Sequence, residues 1–286
     1  MAREWPLVAF TIIVQAAVGI YAFVGSLLFL RGPLAAGRAV GNLRLTLMLA
    51  VLGLLSAGLA LSLFHLHHPV RAYRILANFG NSWLSREIFF MALFMGITAL
   101  AGLLEWRGGG GETLMKMLFI FGALAGLLLI LAMSKLYMLP SVPAWNRAHT
   151  PLSFFMTSVV LGVCALAFLP ASPMGPRFDP TSFLACALAG ITASFLNASL
   201  LDPRHGVFRA RRRPSLQPPS VSSGLLHLVR LVLLALAAGV IVGVFSARRG
   251  GLAADTRALA PTVLLFVLAA AGEVSGRFLF YSGVGP

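Results

Sequence analysis

Apolar residues run along this chain in eight blocks, each about as long as the roughly 20 residues that a helix needs to cross a bilayer core. The blocks fall near 7–30, 43–66, 85–104, 114–139, 152–169, 182–201, 224–245 and 258–281. Short segments rich in Gly, Pro and Arg separate them, as helix ends require. This pattern predicts an all-α integral membrane protein of eight transmembrane helices, with residues 1–286 as one polytopic membrane domain. The opening MAREWPLVAF leads straight into the first apolar block without an A-x-A cleavage signal, so it is read as a membrane helix and not as a cleaved leader.

The longest connections are 66–85 and 201–224. The second carries RARRR and PSLQPPS and reads as a solvated basic loop. After the second helix stands SLFHLHHPVRA and after the sixth SLLDPRHGVFR. This faint echo fits a four-plus-four duplication, hence two four-helix bundles.

Composition agrees with the pattern: 59% of residues are hydrophobic and 10% charged, against about 25% charged in soluble domains. The excess of 22 Lys+Arg over 8 Asp+Glu sits in short inter-helix segments. It therefore points to lipid headgroups and topology, not to nucleic acid. The basic residues divide between the two sides, so their count does not choose an orientation. Cys164 and Cys186 lie inside apolar runs and read as packing residues, and with no CxxC or CxxCH there is no framework for zinc, iron-sulfur or covalent haem.

Eight antiparallel spans place both termini and the even-numbered loops on one membrane face, here the terminal face. All six histidines (65, 67, 68, 149, 205 and 227) fall at that face, together with Glu87, Lys135, Arg230, Glu273 and Arg277. None of the histidines is expected in mid-span, which argues against axial haem ligation. An ionisable group within a span is costly and is a functional candidate by default.

His65 ends the second helix and Glu87 stands about one turn into the third, a hairpin that lets the two meet near Arg71 and Arg74. A His/Glu pair suits two-proton, two-electron chemistry on a lipid-soluble hydroquinone: a neutral imidazole accepts a phenolic proton and a carboxylate orients it. The plainer reading has His65 anchoring a helix end and Glu87 paired with Arg86 or Arg71. Glu273 and Arg277, spaced i, i+4, predict an intrahelical ion pair, with a role around a quinone as the alternative. Lys135 reads as snorkelling to the interface, and PSVPAW as a rigid, aromatic docking loop. Without its own redox centre the chain needs an electron acceptor on a partner at the terminal face. Secondary transport is the competing class, but transporters favour binding residues at the midplane, and here the ionisable residues are expected at one edge. A plain anchor without a quinone site is a third reading.

The segments EWPLVAF, SLFHLHHPVRAYRILANFGNSWLSREI, YMLPSVPAWNRAHTPLSFF and GEVSGRFLFY resemble the dimethyl sulfoxide reductase membrane anchor subunit family, from Glu4 to Tyr281. The resemblance implies a menaquinol-oxidising anchor in the cytoplasmic (inner) membrane of a prokaryote, drawing on the quinone pool, with both termini on the periplasmic side. It implies a four-cluster iron-sulfur subunit and a molybdopterin catalytic subunit as partners, while the histidine placement and cysteine spacing above lead to the expectation of neither haem nor metal in this chain. His65 and Glu87 take the family's menaquinol-site positions and Arg71 its basic residue, and Glu273 and Arg277 are added to the quinol-binding set. His67 stands where the family often has glycine. The terminal substrate and the direction of electron flow belong to the partner subunits, and the same architecture serves quinone reduction in an oxidative complex such as one acting on sulfite.

Overall fold

A computed structural model of the chain describes residues 5–30, 38–63, 78–108, 110–142, 145–168, 180–201, 221–249 and 259–282. These form eight helices: α1 (Trp5–Leu30), α2 (Arg38–Leu63), α3 (Trp83–Arg107), α4 (Glu112–Tyr137), α5 (His149–Leu166), α6 (Pro180–Leu196), α7 (Val221–Arg249) and α8 (Leu259–Ser282). A π-type turn, Asn197–Leu201, prolongs α6. Each span is long and apolar enough to cross a membrane, and there is no strand among the described residues. Helices are what lipid dictates, because every backbone N–H and C=O must find its partner inside the segment.

The boundaries move by a few residues from those read in the sequence, for local reasons. Helix α3 begins at Trp83 because Ser82 caps it, its hydroxyl accepting from the Ser85 N–H at 3.3 Å. Helix α2 is described only to Leu63, so His65, His67, His68 and Arg71 lie outside the described residues, as does His205.

The helices pack as two rings of four. In the first, α1 touches α2, α2 touches α3, α3 touches α4 and α4 returns to α1. In the second the same sequence runs α5, α6, α7, α8 and back to α5. The seam repeats the rule: α1 lies along α5, while α1 also reaches α8 and α5 reaches α4. A shift of four helices thus carries one half's packing onto the other. The fold carries the duplication that the loop echo only hinted at.

The α1/α5 crossing is made by two glycines. A Cβ on Gly19 would overlap the Ser158 carbonyl oxygen, and one on Gly162 would stand 2.5 Å from the carbonyl oxygen of Gly19. Helices without a side chain at the crossing approach backbone to backbone, the usual basis of tight packing in lipid. The first ring is filled by aromatic rings, with Tyr21 edge-on to Phe94 and stacked near Phe119, which in turn stacks on Phe29. Cys164 is buried in the second core, whereas Cys186 is exposed on α6 and so is not the packing residue its apolar setting suggested.

At the face opposite the termini, buried Arg44 on α2 ties three helices. Its guanidinium donates twice to the Leu28 carbonyl, at 3.1 and 2.8 Å, and grips both oxygens of Glu112 at 2.9 and 3.0 Å. It also lies 4.6 Å from the Phe29 ring centroid. The cation has every favourable partner a buried arginine needs: carbonyl, carboxylate and aromatic face.

Candidate functional site

Near the terminal face the helix starts of α1, α3, α5 and α7 meet the ends of α4, α6 and α8, and here the interior turns polar. Glu87 follows Trp83 by about one turn, so its carboxylate enters the bundle roughly 6 Å below the helix start at 1.5 Å per residue. It is 6% exposed, and its Oε2 is buried without a hydrogen-bond partner. The pairing with Arg86 does not form: Arg86 donates to the carbonyls of Phe79 and Gly80, at 3.0 and 2.6 Å, and lies over the Trp83 ring. Ser85 and Met91 share the buried side of α3 with Glu87, and Met91 follows Glu87 at the i, i+4 spacing of a helix face.

Glu273 and Arg277, on α8, do not pair with each other, contrary to the reading from their spacing. Each has found a partner on another helix instead. Glu273 accepts from the Thr157 hydroxyl of α5 at 2.7 Å and from the Ser194 hydroxyl of α6 at 2.5 Å. The Arg230 guanidinium of α7 stands 3.7 Å from its Oε2. Room for that guanidinium comes from Gly276, where a Cβ would meet the Arg230 Cζ at 2.6 Å. Arg277 donates to the Gln15 side-chain oxygen of α1 at 2.7 Å, and its guanidinium covers the Phe154 ring of α5 at 3.7 Å from the centroid. Gln15 is the hinge of this arrangement, since its backbone carbonyl also accepts from the Ser158 hydroxyl at 2.9 Å.

Arg277 and Glu87 are both electrostatic neighbours of Tyr137 and Tyr281. Those two rings lie 5.3 Å apart, and Tyr137 also packs against Phe154, Phe280 and Trp145. Trp145, from the PSVPAW segment, turns inward: it stacks on Phe280 at 5.2 Å and its indole N–H donates to the Phe280 carbonyl at 2.9 Å. Its ring is held within the chain, yet it is only partly buried. The Nε and Nη1 of Arg277 are buried without hydrogen-bond partners.

Depth also differs from expectation. Arg277 and Glu87 lie about 6–8 Å from the terminal ends of their helices, but Glu273, Arg230 and Thr157 lie about 12–14 Å in, close to the middle of a hydrocarbon core of roughly 30 Å. The ionisable residues therefore form a strip from the edge inward, not an edge cluster. Of the five residues singled out for a quinol, the structure gathers Glu87, Glu273 and Arg277 into one region, while His65 and Arg71 lie outside the described residues. Gln15, Thr157 and Ser194 were missed. Only the position of Gln15, an amide alone in the first apolar run, offered a signal. His149 opens α5, and His227 stands six residues into α7, about 9 Å from its start at 1.5 Å per residue, both in the terminal half of their helices.

The fold and this strip define an eight-span membrane subunit with buried charge concentrated toward one face. Residues 1–283 match the family described as DMSO reductase anchor subunit (DmsC), and the chain belongs to that family. It is 30% identical to an anaerobic dimethyl sulfoxide reductase chain of Haemophilus influenzae, over 97% of this chain and 94% of that one. It is 29% identical to the anaerobic dimethyl sulfoxide reductase chain YnfH of Escherichia coli (strain K12), over 98% and 94%. A sulfite dehydrogenase subunit of Allochromatium vinosum is 33% identical over 37% of this chain and 35% of its own length. No solved structure matches the chain. Membership makes it a membrane anchor subunit and sets aside the transporter reading.

Proposed function

We propose that this subunit holds a molybdopterin oxidoreductase complex on the inner membrane and oxidises menaquinol there, passing electrons to an iron-sulfur partner for reduction of dimethyl sulfoxide or a related substrate. The supporting observation is Glu87: a carboxylate enclosed near the terminal face, one oxygen without a donor, and an electrostatic neighbour of Tyr137 and Tyr281. A protein does not bury such a group without a use for it.

In the reaction, two O–H bonds of the quinol break. The two protons go to His65 and Glu87 and on to the terminal face, and the two electrons leave one after the other to the iron-sulfur subunit, which would relay each onward, leaving quinone. Glu87 accepts and orients, His65 works as the neutral imidazole base, and Arg71 supplies positive charge from the loop. Glu273 and Arg277 complete the site from the second half. Electron flow in the opposite sense, reducing quinone as in a sulfite-oxidising complex, uses the same residues; the partial similarity to a sulfite dehydrogenase subunit favours keeping it as the second reading.

The test is titration of a fluorescent quinol-site inhibitor into membranes carrying the whole complex, with quinol oxidation measured alongside. His65→Ala and Glu87→Gln are expected to lose both while the complex stays assembled. Native inhibitor affinity in both variants would move the site elsewhere.

A further inference from the structure

Two buried polar groups carry unpartnered atoms, the acceptor Glu87 Oε2 and the donors Nε and Nη1 of Arg277; both groups are electrostatic neighbours of Tyr137 and Tyr281, and Arg277 lies over the Phe154 ring. Glu87 comes from the first four-helix half and Arg277 from the second. Resting on the quinol reading above, we infer that Arg277 binds the quinone oxygen remote from Glu87, so that the head group is held across the seam with one oxygen on each half.

The chemistry of the two groups is complementary to such a ring. Arg277 is 2% exposed, and one of its nitrogens is occupied by Gln15 while its flat face rests on Phe154. What remains are N–H donors fixed in direction, which require an oxygen acceptor. Glu273 does not provide it, since its oxygens are held by Thr157 and Ser194. Glu87 Oε2 lacks a donor, which a quinol hydroxyl supplies. The wall beside them is Tyr137, Phe154, Phe280 and Tyr281, rings packed with centroids 5.3–5.7 Å apart. A flat apolar ring with an oxygen at each end satisfies donor, acceptor and wall together. Arg277 thereby holds the ligand, while Glu87 takes its proton.

The roles separate in kinetics. In membranes carrying the whole complex, Arg277→Gln is expected to weaken the quinol-site inhibitor and raise KM for a short-chain menaquinol about tenfold or more, as for loss of a charge-assisted hydrogen bond. Its kcat should fall far less. Glu87→Gln, which weakens the inhibitor as well, should in addition cut kcat, because it removes the proton acceptor. Should Arg277→Gln fail to assemble, the native complex decides: infrared difference spectra with menaquinone labelled at one carbonyl and then at the other are expected to show two unequal carbonyl stretches, one strongly lowered by the guanidinium. Equal, unshifted carbonyls, or native KM and inhibitor affinity in an assembled Arg277→Gln complex, overturn the assignment. If Glu87→Gln is inactive in the same preparations, the quinol reading itself survives that result; if Glu87→Gln is also native, both fail.

Discussion

Inside the second half, the Arg230 guanidinium stands 3.7 Å from the Glu273 carboxylate, so Glu273 is the anion that faces this buried cation, while Arg277 rests on Gln15 and the Phe154 ring. Removing one member of a buried ionic set leaves the others uncompensated and costs about 3–5 kcal/mol. Glu273→Ala is therefore expected to destabilise the detergent-solubilised subunit by about that much, read as a lowered midpoint of denaturation. Adding Arg230→Met to that background should restore a good part of the loss, because it removes the stranded charge and not merely its partner. A smaller effect belongs to Trp145. Trp145→Phe keeps a ring against Phe280 but loses the N–H donated to its carbonyl, which should lower stability by about 1 kcal/mol in the same measurement.

Elements, by contrast, are set by the bilayer more than by any single residue. Where the hydrocarbon thickness demands about 20 apolar residues, the run lengths in the sequence are read directly, and all eight spans were legible. Their ends were less so, because a cap such as Ser82 or a π-type turn such as Asn197–Leu201 is decided by one or two hydrogen bonds that hydropathy does not register. Within the candidate site, the burial of Glu87 was legible, because an acid at the start of an apolar run enters the bundle with its helix. The i, i+4 rule misread Glu273 and Arg277, because it describes an isolated helix and ignores the hydroxyls, amide and arginine that neighbouring helices present. The α1/α5 seam was invisible for the same reason: Gly19 and Gly162 look like any of the chain's other glycines until the helices cross. That crossing makes a prediction. Gly19→Ala or Gly162→Ala forces a Cβ into backbone atoms and is expected to abolish accumulation of folded subunit in membranes. Gly53→Ala, on an exposed face of α2 with nothing within 4 Å of the added carbon, should accumulate as the native protein does. Equal levels of all three variants would mean that the seam yields at little cost.

At the scale of the whole molecule, the two faces of the subunit are unequal, and with the quinol reading proposed above the inequality predicts where the iron-sulfur partner sits. The buried strip of Glu87, Arg277, Glu273 and Arg230 lies in the terminal half of the bundle, while the opposite face carries the Arg44–Glu112 tie, whose groups are matched to one another and to the Leu28 carbonyl. If quinol is oxidised beside Glu87, as proposed above, its electrons have a short route only to an acceptor on the same face. A partner on the other side would have to receive them through most of the bilayer thickness. Single cysteines placed at exposed positions on each face distinguish these arrangements. Asn81 precedes α3 on the terminal face, and Trp106, 70% exposed, ends the same helix on the other. In a background with Cys164 and Cys186 replaced by serine or alanine, a bifunctional maleimide is expected to join Asn81→Cys to the iron-sulfur subunit and to leave Trp106→Cys unlinked. The reverse pattern would put the docking face opposite the buried strip, and the quinol site proposed around Glu87 would then have no path for its electrons.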